Sequence, residues 1–359
     1  MIVLQVCAFA AEYPGNFIAT LTALENTLAE KGVHTIYAFP RRAAAKIWCQ
    51  ELCTRTTVYF LPEANARILP ETYKIFRQIF AKHDVSIVHS HFELYDMPAT
   101  LTAPKQAKIF WHLHDPIGED FDKLDLLRRT LTKLQYGWIG KRATLLTVSE
   151  KHGDFVTSIG FSKKQVVYFP NGINTGKIRL VDSELTVHKN QFLLLGWDVH
   201  RKGVDVLTEA VTLLGQTSST FCVVGLDQCE EYLSHHANQN IQFLRPVTDI
   251  NILFQRSSCF LHISRAEGQS YALLEAIYAG LPVICSDIPE NLFAQQFQNV
   301  LWVKNGDAED LAEKLRLVLD EFPMPNREGV VRNREIIDKK FSIQAWVEQT
   351  VIRYFPAGM

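Results

Sequence analysis

The chain has 359 residues, of which 47% are hydrophobic and 21% charged, and its formal net charge is -2. This length exceeds the size at which a single hydrophobic core usually divides, so we expect two domains. The near-neutral charge disfavours a general nucleic-acid binder, and the lack of a charge-free apolar stretch of about 18 residues disfavours a membrane-spanning helix. The seven cysteines are scattered and several lie in apolar segments, which indicates reduced core thiols and a cytoplasmic protein.

Short apolar runs alternate with helical patterns along the whole chain, which is typical of parallel sheets with crossover helices. The first run, near 2–8, has no preceding basic region, so it indicates a buried strand rather than a signal peptide. Further strands are predicted near 34–39, 57–60, 86–90, 108–113, 144–148, 166–169, 191–196, 220–224, 241–244, 259–263, 282–285 and 300–303. Helices are predicted near 16–31, 70–82, 122–141, 203–215, 248–256, 270–279, 307–321 and 342–354.

A polar stretch from Pro170 to Asn190 separates the two α/β halves and predicts a hinge. The first half then forms a domain from residue 1 to 170, and the second a domain from 171 to 340. The last helix could pack back on the first domain.

The segment from Ser264 to Ile284 contains the most informative motif. An apolar strand precedes it, Glu267 to Gln269 forms a polar loop that contains Gly268, and Ser270 is placed to cap a helix that carries Glu275. Such a turn directs the N-H groups and the positive dipole end of a helix toward the crevice where open parallel sheets bind ligands, which suits a diphosphate. The two carboxylates could accept hydrogen bonds from two hydroxyl-bearing ends of one ligand.

A second motif runs from Leu195 to Asp205, where a strand ends at Gly196 and the basic pair Arg201-Lys202 precedes a helix. A cation at a helix N-terminus is mildly unfavourable unless an anion binds there, so the pair indicates a phosphate site. A solvated basic loop is the alternative.

These two motifs, in the frame E-G-x-x-x-x-x-L-E-A-x-x-x-G-x-P-V-I and in Lys-Gly-Val-Asp, resemble retaining glycosyltransferases of family 4. The resemblance implies an α/β GT-B fold, in which two Rossmann-like doubly wound domains face a central cleft and the C-terminal helix crosses back to the first domain. The first, acceptor-side domain would then comprise 1–170 plus about 341–359, and 171–340 would bind the nucleotide sugar.

The resemblance also implies roles for individual residues. Glu267 would contact the transferred sugar, Glu275 the donor ribose, and Lys202 the donor phosphates. The family has Phe-Gly where this chain has Gln269-Ser270, and it has Arg where this chain has Trp197, so Arg201 is a candidate to replace that charge. The predicted donor-binding residues are Gly15, Gly196, Arg201, Lys202, Gly268, Gln269, Ser270, Tyr271 and Glu275, with Gly15 in a glycine-containing loop after the first strand.

Histidines cluster after two strands of the first half. His89 and His91 end one run, while His112 and His114 end another and point to the same side of an extended segment, a geometry that also suits a metal. The family resemblance implies that His114 contacts the donor sugar and that no metal is needed. A structural, hydrogen-bonded role for His114 remains the alternative, and acceptor contact or packing are equal alternatives for His89 and His91.

One basic helical segment of the first half also carries apolar residues. Arg128, Arg129, Lys133, Lys141 and Arg142 surround Leu126, Leu127, Leu131, Leu134, Trp138 and Ile139. A basic helix with an apolar face can lie on an anionic membrane, although packing against the domain is the commoner explanation.

The sequence as a whole predicts a retaining hexosyltransferase that moves a sugar from a nucleoside-diphosphate donor to a hydroxyl acceptor, in bacterial polysaccharide or glycoconjugate biosynthesis. Glu267, His114, Lys202 and Arg201 are the predicted catalytic residues, and no cofactor or metal is expected. A catalytically silent binding subunit, an epimerase or a phosphorylase of the same fold are the alternatives. A dehydrogenase is disfavoured because no Gly-x-Gly-x-x-Gly occurs.

Overall fold

The computed structural model describes residues 1–118, 121–181, 190–320 and 327–356. The chain divides into two compact units. The first unit contains residues 1–172 and the C-terminal stretch that starts at Ile343, and the second runs from Ile173 to Ser342. Among the described residues, no helix combines the length and the apolar character that crossing a bilayer requires.

The first unit is built on a seven-stranded sheet in which all pairings are parallel. The strands are β1 (Ile2–Cys7), β2 (His34–Pro40), β3 (Val58–Leu61), β4 (Val85–His91), β5 (Lys108–Leu113), β6 (Ala143–Thr147) and β7 (Val166–Tyr168). Their order is β3-β2-β1-β4-β5-β6-β7, so the direction of winding reverses between β1 and β4. The helices between them are α1 (Gly15–Glu30), α2 (Ile47–Arg55), α3 (Pro70–Lys82), α4 (Asp96–Thr102), α5 (Leu126–Gly137) and α6 (Glu150–Ser158).

The second unit repeats this plan with a six-stranded parallel sheet. Its strands are β8 (Gln191–Leu195), β9 (Thr220–Val224), β10 (Ile241–Leu244), β11 (Cys259–His262), β12 (Val283–Ser286) and β13 (Val300–Val303). The order β10-β9-β8-β11-β12-β13 reverses between β8 and β11. The helices are α7 (Val204–Leu214), α8 (Asp227–His235), α9 (Asn251–Phe254), α10 (Tyr271–Tyr278), α11 (Ala308–Asp320) and α12 (Arg327–Lys340).

The last helix, α13 (Ile343–Tyr354), belongs to the first unit and packs beside α1. Its buried Trp346, Val347 and Tyr354 join Leu24 and Leu28 of α1 in one hydrophobic cluster. The Tyr354 hydroxyl also accepts a hydrogen bond from Gln5 Nε2 of β1 at 3.1 Å. The first sheet is therefore covered on this face by residues from both ends of the chain.

The predicted fold class, two doubly wound parallel sheets with a C-terminal helix that returns to the first, is confirmed. The helix predicted over 122–141 is wrong in its extent, because α5 covers only Leu126–Gly137 between two short 3-10 turns. Helix α12 was not predicted, since its sequence is mostly charged and buries only Gly329, Val330, Asn333 and Ile337. All seven cysteines are free, and six of them are buried.

Helix α7 offers a pair of glycines for a stability test, because Gly203 (φ 73°, ψ 26°) and Gly215 (φ 78°, ψ -143°) flank its two ends and both have positive φ. A Cβ at Gly203 would overlap the carbonyl oxygen of Ile263, whereas a Cβ at Gly215 would meet open space. We expect Gly215→Ala to lower the free energy of unfolding by about 1–3 kcal/mol through backbone strain alone, and Gly203→Ala to lower it further because the overlap adds to the strain. Chemical denaturation of both variants measures the difference, and equal losses would contradict the overlap.

Candidate functional site

The winding of the second sheet brings the two predicted motifs together. Ligands bind open parallel sheets at the carboxyl ends of the strands where the winding reverses, which here lies between β8 and β11. The loop after β8 and the loop after β11 are joined by two hydrogen bonds, from the Arg265 N-H to the Arg201 carbonyl at 2.8 Å and from Arg201 Nε to the Ala266 carbonyl at 3.1 Å. The two loops thus form one surface at the reversal point.

A buried ion pair lies at the centre of this surface. Lys202 Nζ is 2.5 Å from Glu267 Oε1, and the two residues are only 8% and 5% exposed. The alternative of a solvated basic loop is therefore wrong for Lys202. Burial of two charges is costly unless they are paired, and removal of one partner from such a pair typically costs about 3–5 kcal/mol.

The protonation states of this pair follow from its surroundings. Burial alone would raise the pKa of Glu267, but the charge of Lys202 and hydrogen bonds from Lys202 and Ser264 lower it below its ordinary value. Burial lowers the pKa of His262 to about 4, although Glu267 opposes the shift. The histidine ring lies 3.9 Å from the carboxylate, so it is a neutral neighbour of a charged pair at pH 7.

Trp197, which stands where the family has an arginine, contacts both cations of the motif. The Arg201 guanidinium carbon lies 5.5 Å from the centroid of its ring and Lys202 Nζ lies 5.1 Å from it. Both distances are within the range of cation-π attraction. Trp197 is 46% exposed, so its ring covers the cations and faces solvent at the same time.

The start of helix α10 follows Glu267 by four residues. Ser270 is its N-cap, and its hydroxyl accepts a hydrogen bond from the Leu273 N-H at 3.3 Å, as the sequence predicts. The loop residues Glu267, Gly268 and Gln269 are buried with Ser270, while Glu275 is half-buried on the second turn. The positive end of the helix dipole therefore lies beside the ion pair.

The predicted glycines have different surroundings. A Cβ at Gly196 would lie 2.6 Å from Val204 Cγ2 and 2.9 Å from Val223 Cγ1, so close packing of strand on helix accounts for this glycine. Gly15 begins α1 with φ 55°, and nothing lies near the position of a Cβ. Backbone conformation alone thus requires glycine at residue 15.

The four histidines at the carboxyl ends of β4 and β5, His89, His91, His112 and His114, are buried, and three of them belong to a hydrogen-bonded chain. His114 Nδ1 lies 3.1 Å from the side-chain amide of Asn171, and its Nε2 lies 3.1 Å from His91 Nδ1. His91 Nε2 in turn lies 3.0 Å from Gln5 Oε1, and Tyr354 extends the chain to His89 at 2.7 Å. The alternative of a structural, hydrogen-bonded His114 is therefore realised, and its contact with a sugar stays a prediction.

Three of these rings, His89, His91 and His112, place ligand atoms within 4.8 Å of one another, which sequence spacing did not reveal. Both ring nitrogens of His91 already face hydrogen-bond partners. A metal ion bound by His91 would compete with one of these bonds.

Sequence reasoning missed His262, Gln5 and Tyr354. His262 is the polar residue within an otherwise apolar buried strand, and this contrast in the sequence could have identified it as a candidate site residue. Gln5 in the first strand gave the same signal, whereas nothing in the sequence linked Tyr354 to the histidines because the contact depends on the return of α13.

The chain forms two doubly wound parallel units, and a buried cation-carboxylate pair lies at the reversal point of the second unit. These features define a protein of the GT-B class. A model described as Glycosyltransferase Family 4 matches residues 20–177, and one described as Glycosyl transferases group 1 matches residues 189–321. The chain belongs to this glycosyltransferase family.

Two curated relatives are similar over about half of the chain. An N,N'-diacetylbacillosaminyl-diphospho-undecaprenol alpha-1,3-N-acetylgalactosaminyltransferase of Campylobacter jejuni is 26% identical over 48% of this chain and 50% of its own length. The lipopolysaccharide glucosyltransferase WaaG of Escherichia coli is 26% identical over 52% of this chain and 55% of its own length. The matches thus span about half the length of these relatives.

A solved structure matches almost the whole chain. The crystal structure of Anabaena Alr3699/HepE in complex with UDP-glucose superimposes with a TM-score of 0.74, covering 98% of this chain and 99% of the other at 14% identity. At this identity the likeness concerns the fold, and it confirms the GT-B architecture.

The buried histidines predict that acid destabilises the first unit. Burial lowers the pKa of His89 and of His114 to about 3, so between that pH and about 6.5 only the unfolded chain binds these protons. Stability is full above pH 6.5 and falls as the pH drops, by about 2 kcal/mol per histidine between pH 6.5 and 5. Burial raises the pKa of Asp96 to about 7, so below that pH the folded protein binds this proton more readily than the unfolded chain. The resulting gain in stability offsets the loss caused by roughly one histidine.

Denaturation at pH 7.5 and 5.0 measures this loss. His89→Gln should show a smaller loss than the wild type, while His235→Gln, at an exposed position, should match the wild type. An equal loss in His89→Gln and the wild type would contradict the assignment.

Proposed function

We propose that this protein is a retaining glycosyltransferase that moves a hexose-type sugar from a nucleoside-diphosphate donor to a hydroxyl group of a glycan, lipid-linked or protein-linked acceptor. The observation that carries the proposal is the buried Lys202–Glu267 pair beside the N-terminus of α10. An ion pair stabilises a fold poorly compared with apolar packing, so its placement at the ligand-binding edge of the sheet favours a functional role.

The proposed roles follow from the charges. Lys202 and Arg201, with the N-terminus of α10, would offset the negative charge that develops on the departing diphosphate, which is usually the largest catalytic contribution of such sites. Glu275 would accept hydrogen bonds from the ribose hydroxyls, and Glu267, held by Lys202, would orient the sugar. Because these groups supply the positive charge, we propose that no divalent cation is needed.

The family resemblance gives His114 a contact with the same sugar and gives Gly15 a place in the donor-binding loop. Burial lowers the pKa of His114, so its ring would act as a neutral hydrogen-bonding group rather than as a cation. Asn171 and His91 hold the ring in one orientation.

The two curated relatives are named as enzymes of lipid-linked glycan and lipopolysaccharide assembly, and the structural match carries UDP-glucose. These names support a role in bacterial polysaccharide or glycoconjugate biosynthesis for this chain, which we propose to act in the cytoplasm.

We further propose that the protein associates with the inner face of the membrane through α5. Leu126, Leu127 and Trp138 are 81%, 67% and 60% exposed, and basic residues of the same segment are exposed beside them. Apolar side chains of this size can enter the interface while the neighbouring cations meet anionic headgroups.

A thermal-shift and hydrolysis screen with UDP-, GDP-, ADP- and dTDP-sugars, with and without EDTA, tests the donor. One nucleotide class at about 100 times its dissociation constant should stabilise the protein by roughly 2.7 kcal/mol, whether or not EDTA is present. Glu275→Gln should abolish the shift, whereas Glu209→Gln, at an exposed position of α7, should keep it. Because Lys202→Met alone leaves a buried carboxylate unpaired, it is compared with the double variant Lys202→Met/Glu267→Gln.

Retention of the anomeric configuration in the transferred sugar, read by NMR, tests the stereochemistry. An inverted product would refute the retaining mechanism, and loss of the shift in EDTA would refute metal independence. Donor binding without hydrolysis or transfer would favour a catalytically silent binding subunit. A protein that no donor stabilises would refute the proposal.

Vesicle flotation tests the membrane association. Wild-type protein should float with vesicles that contain about 30% anionic lipid and remain behind with neutral vesicles, since the attraction is electrostatic as well as apolar. Leu126→Asp should reduce flotation, and Ile352→Asp, at a similarly exposed position of α13, should leave it unchanged. Equal flotation of both variants would contradict a role for α5.

A further inference from the structure

His262 is the last residue of β11 and lies beside the buried pair of Lys202 and Glu267. It is only 4% exposed, and its ring Nε2 has no hydrogen-bond partner among the described residues. This nitrogen lies 3.9 Å from Glu267 Oε1, which is about 1 Å longer than a hydrogen bond. Buried polar groups without a partner are rare in native proteins, so we expect Nε2 to have a partner in another state of the site.

The surroundings of the ring determine which nitrogen carries its proton. Cys285 of β12 pairs in register with His262, and burial raises the pKa of its thiol, so this neighbour is uncharged. Asn291 also lies close enough to raise the pKa of the ring. The charged groups that act on the ring are Glu267 and Lys202. Because an ionised carboxylate only accepts hydrogen bonds, Glu267 favours the neutral ring with its proton on Nε2.

The proposed function places two demands on Lys202. In this structure its ammonium group is paired with Glu267 at 2.5 Å, but the same group is proposed to bind the donor diphosphate. A diphosphate carries more negative charge than a carboxylate, so it competes for the ammonium group, and the flexible lysine side chain can follow it. Glu267 would then be a buried carboxylate without its partner, which is costly.

We propose that His262 is a positioning residue for Glu267, and that donor binding exchanges Lys202 for His262 as the partner of this carboxylate. When the diphosphate draws Lys202 away, the Nε2-H group of His262 donates to Glu267 and holds it in place for its contact with the sugar. A movement of about 1 Å by the ring or the carboxylate closes the gap. This inference rests on the proposed transferase function, because that function assigns Lys202 to the diphosphate and Glu267 to the sugar.

Two substitutions of His262 test this role in kinetics with UDP-, GDP-, ADP- and dTDP-glucose. His262→Gln places an amide N-H group near the position of Nε2, so it should retain most of the turnover. His262→Asn is too short to reach Glu267, so kcat should fall about ten- to hundredfold. The affinity for free UDP, GDP, ADP or dTDP, which lack the sugar, should be unchanged in both variants because Lys202 is intact. Chemical denaturation measures whether the two variants are equally stable.

A double variant shows whether His262 acts through Glu267. In the Glu267→Gln background, His262→Asn should cause no further loss of kcat, because the carboxylate that the ring holds is absent. Additive losses, or an equal kcat in His262→Gln and His262→Asn, would overturn the proposal. A loss of nucleoside-diphosphate affinity that parallels the loss of kcat would also overturn it, in favour of a purely structural role.

The exchange of partners can also be tested without a donor. Lys202→Met imitates the departure of the ammonium group, so the pKa of His262, followed by NMR in the full-length protein, should rise above its wild-type value of about 4. The reason is that Glu267 then attracts the proton without an opposing charge. The double variant Lys202→Met/Glu267→Gln should abolish the rise, and an unchanged pKa in Lys202→Met would contradict the contact.

These measurements separate the inference from the proposed function. A normal kcat in His262→Asn, in a protein that a donor stabilises, refutes only the role of His262. A raised pKa of His262 in Lys202→Met, in a protein that no donor stabilises, supports the contact with Glu267 and refutes only the transferase.

Discussion

The parallel direction of every strand is the constraint on which the arrangement of this protein depends. In a parallel sheet each strand must be followed by a crossover, so all loops that follow strands leave the sheet at one edge. Lys202, Glu267, Glu93 and His114 come from distant parts of the sequence, and each lies just after a strand. The direction of the strands, rather than any local preference, therefore gathers the polar chemistry of each unit at one edge.

Within the second unit, one of these loops lies in the protein interior. Loops normally lie at the surface because their polar groups need water, but the loop from Ala266 to Ser270 is buried. Arg201 donates a hydrogen bond to the Ala266 carbonyl and Lys202 pairs with Glu267, so the two motifs depend on each other. Trp197 lies against both cations of the site, Arg201 and Lys202, at cation-π distance.

The sequence predicted the strands because apolar runs and capping residues are local signals, whereas the doubly wound arrangement was implied by the family resemblance. Ser270 is an example, since its position before an apolar helical pattern was enough to identify it as an N-cap. The Lys202–Glu267 contact could not be read in the same way, because the family roles assign the two side chains to different parts of a ligand. Helix α12 escaped notice because its few buried positions are dispersed among charged ones.

The return of α13 to the first unit has a consequence for synthesis of the chain. Domains usually fold in order of their emergence from the ribosome, the N-terminal one first. Here residues 1–172 lack the helix that covers Val3, Leu24 and Leu28, and Gln5 and His89 lack the Tyr354 hydroxyl. The second unit is contiguous, so it can complete its core while the first still exposes apolar surface. The N-terminal unit is thus the last to finish folding. Until α13 has been synthesised, this unit is the part of the nascent protein that most needs protection from aggregation.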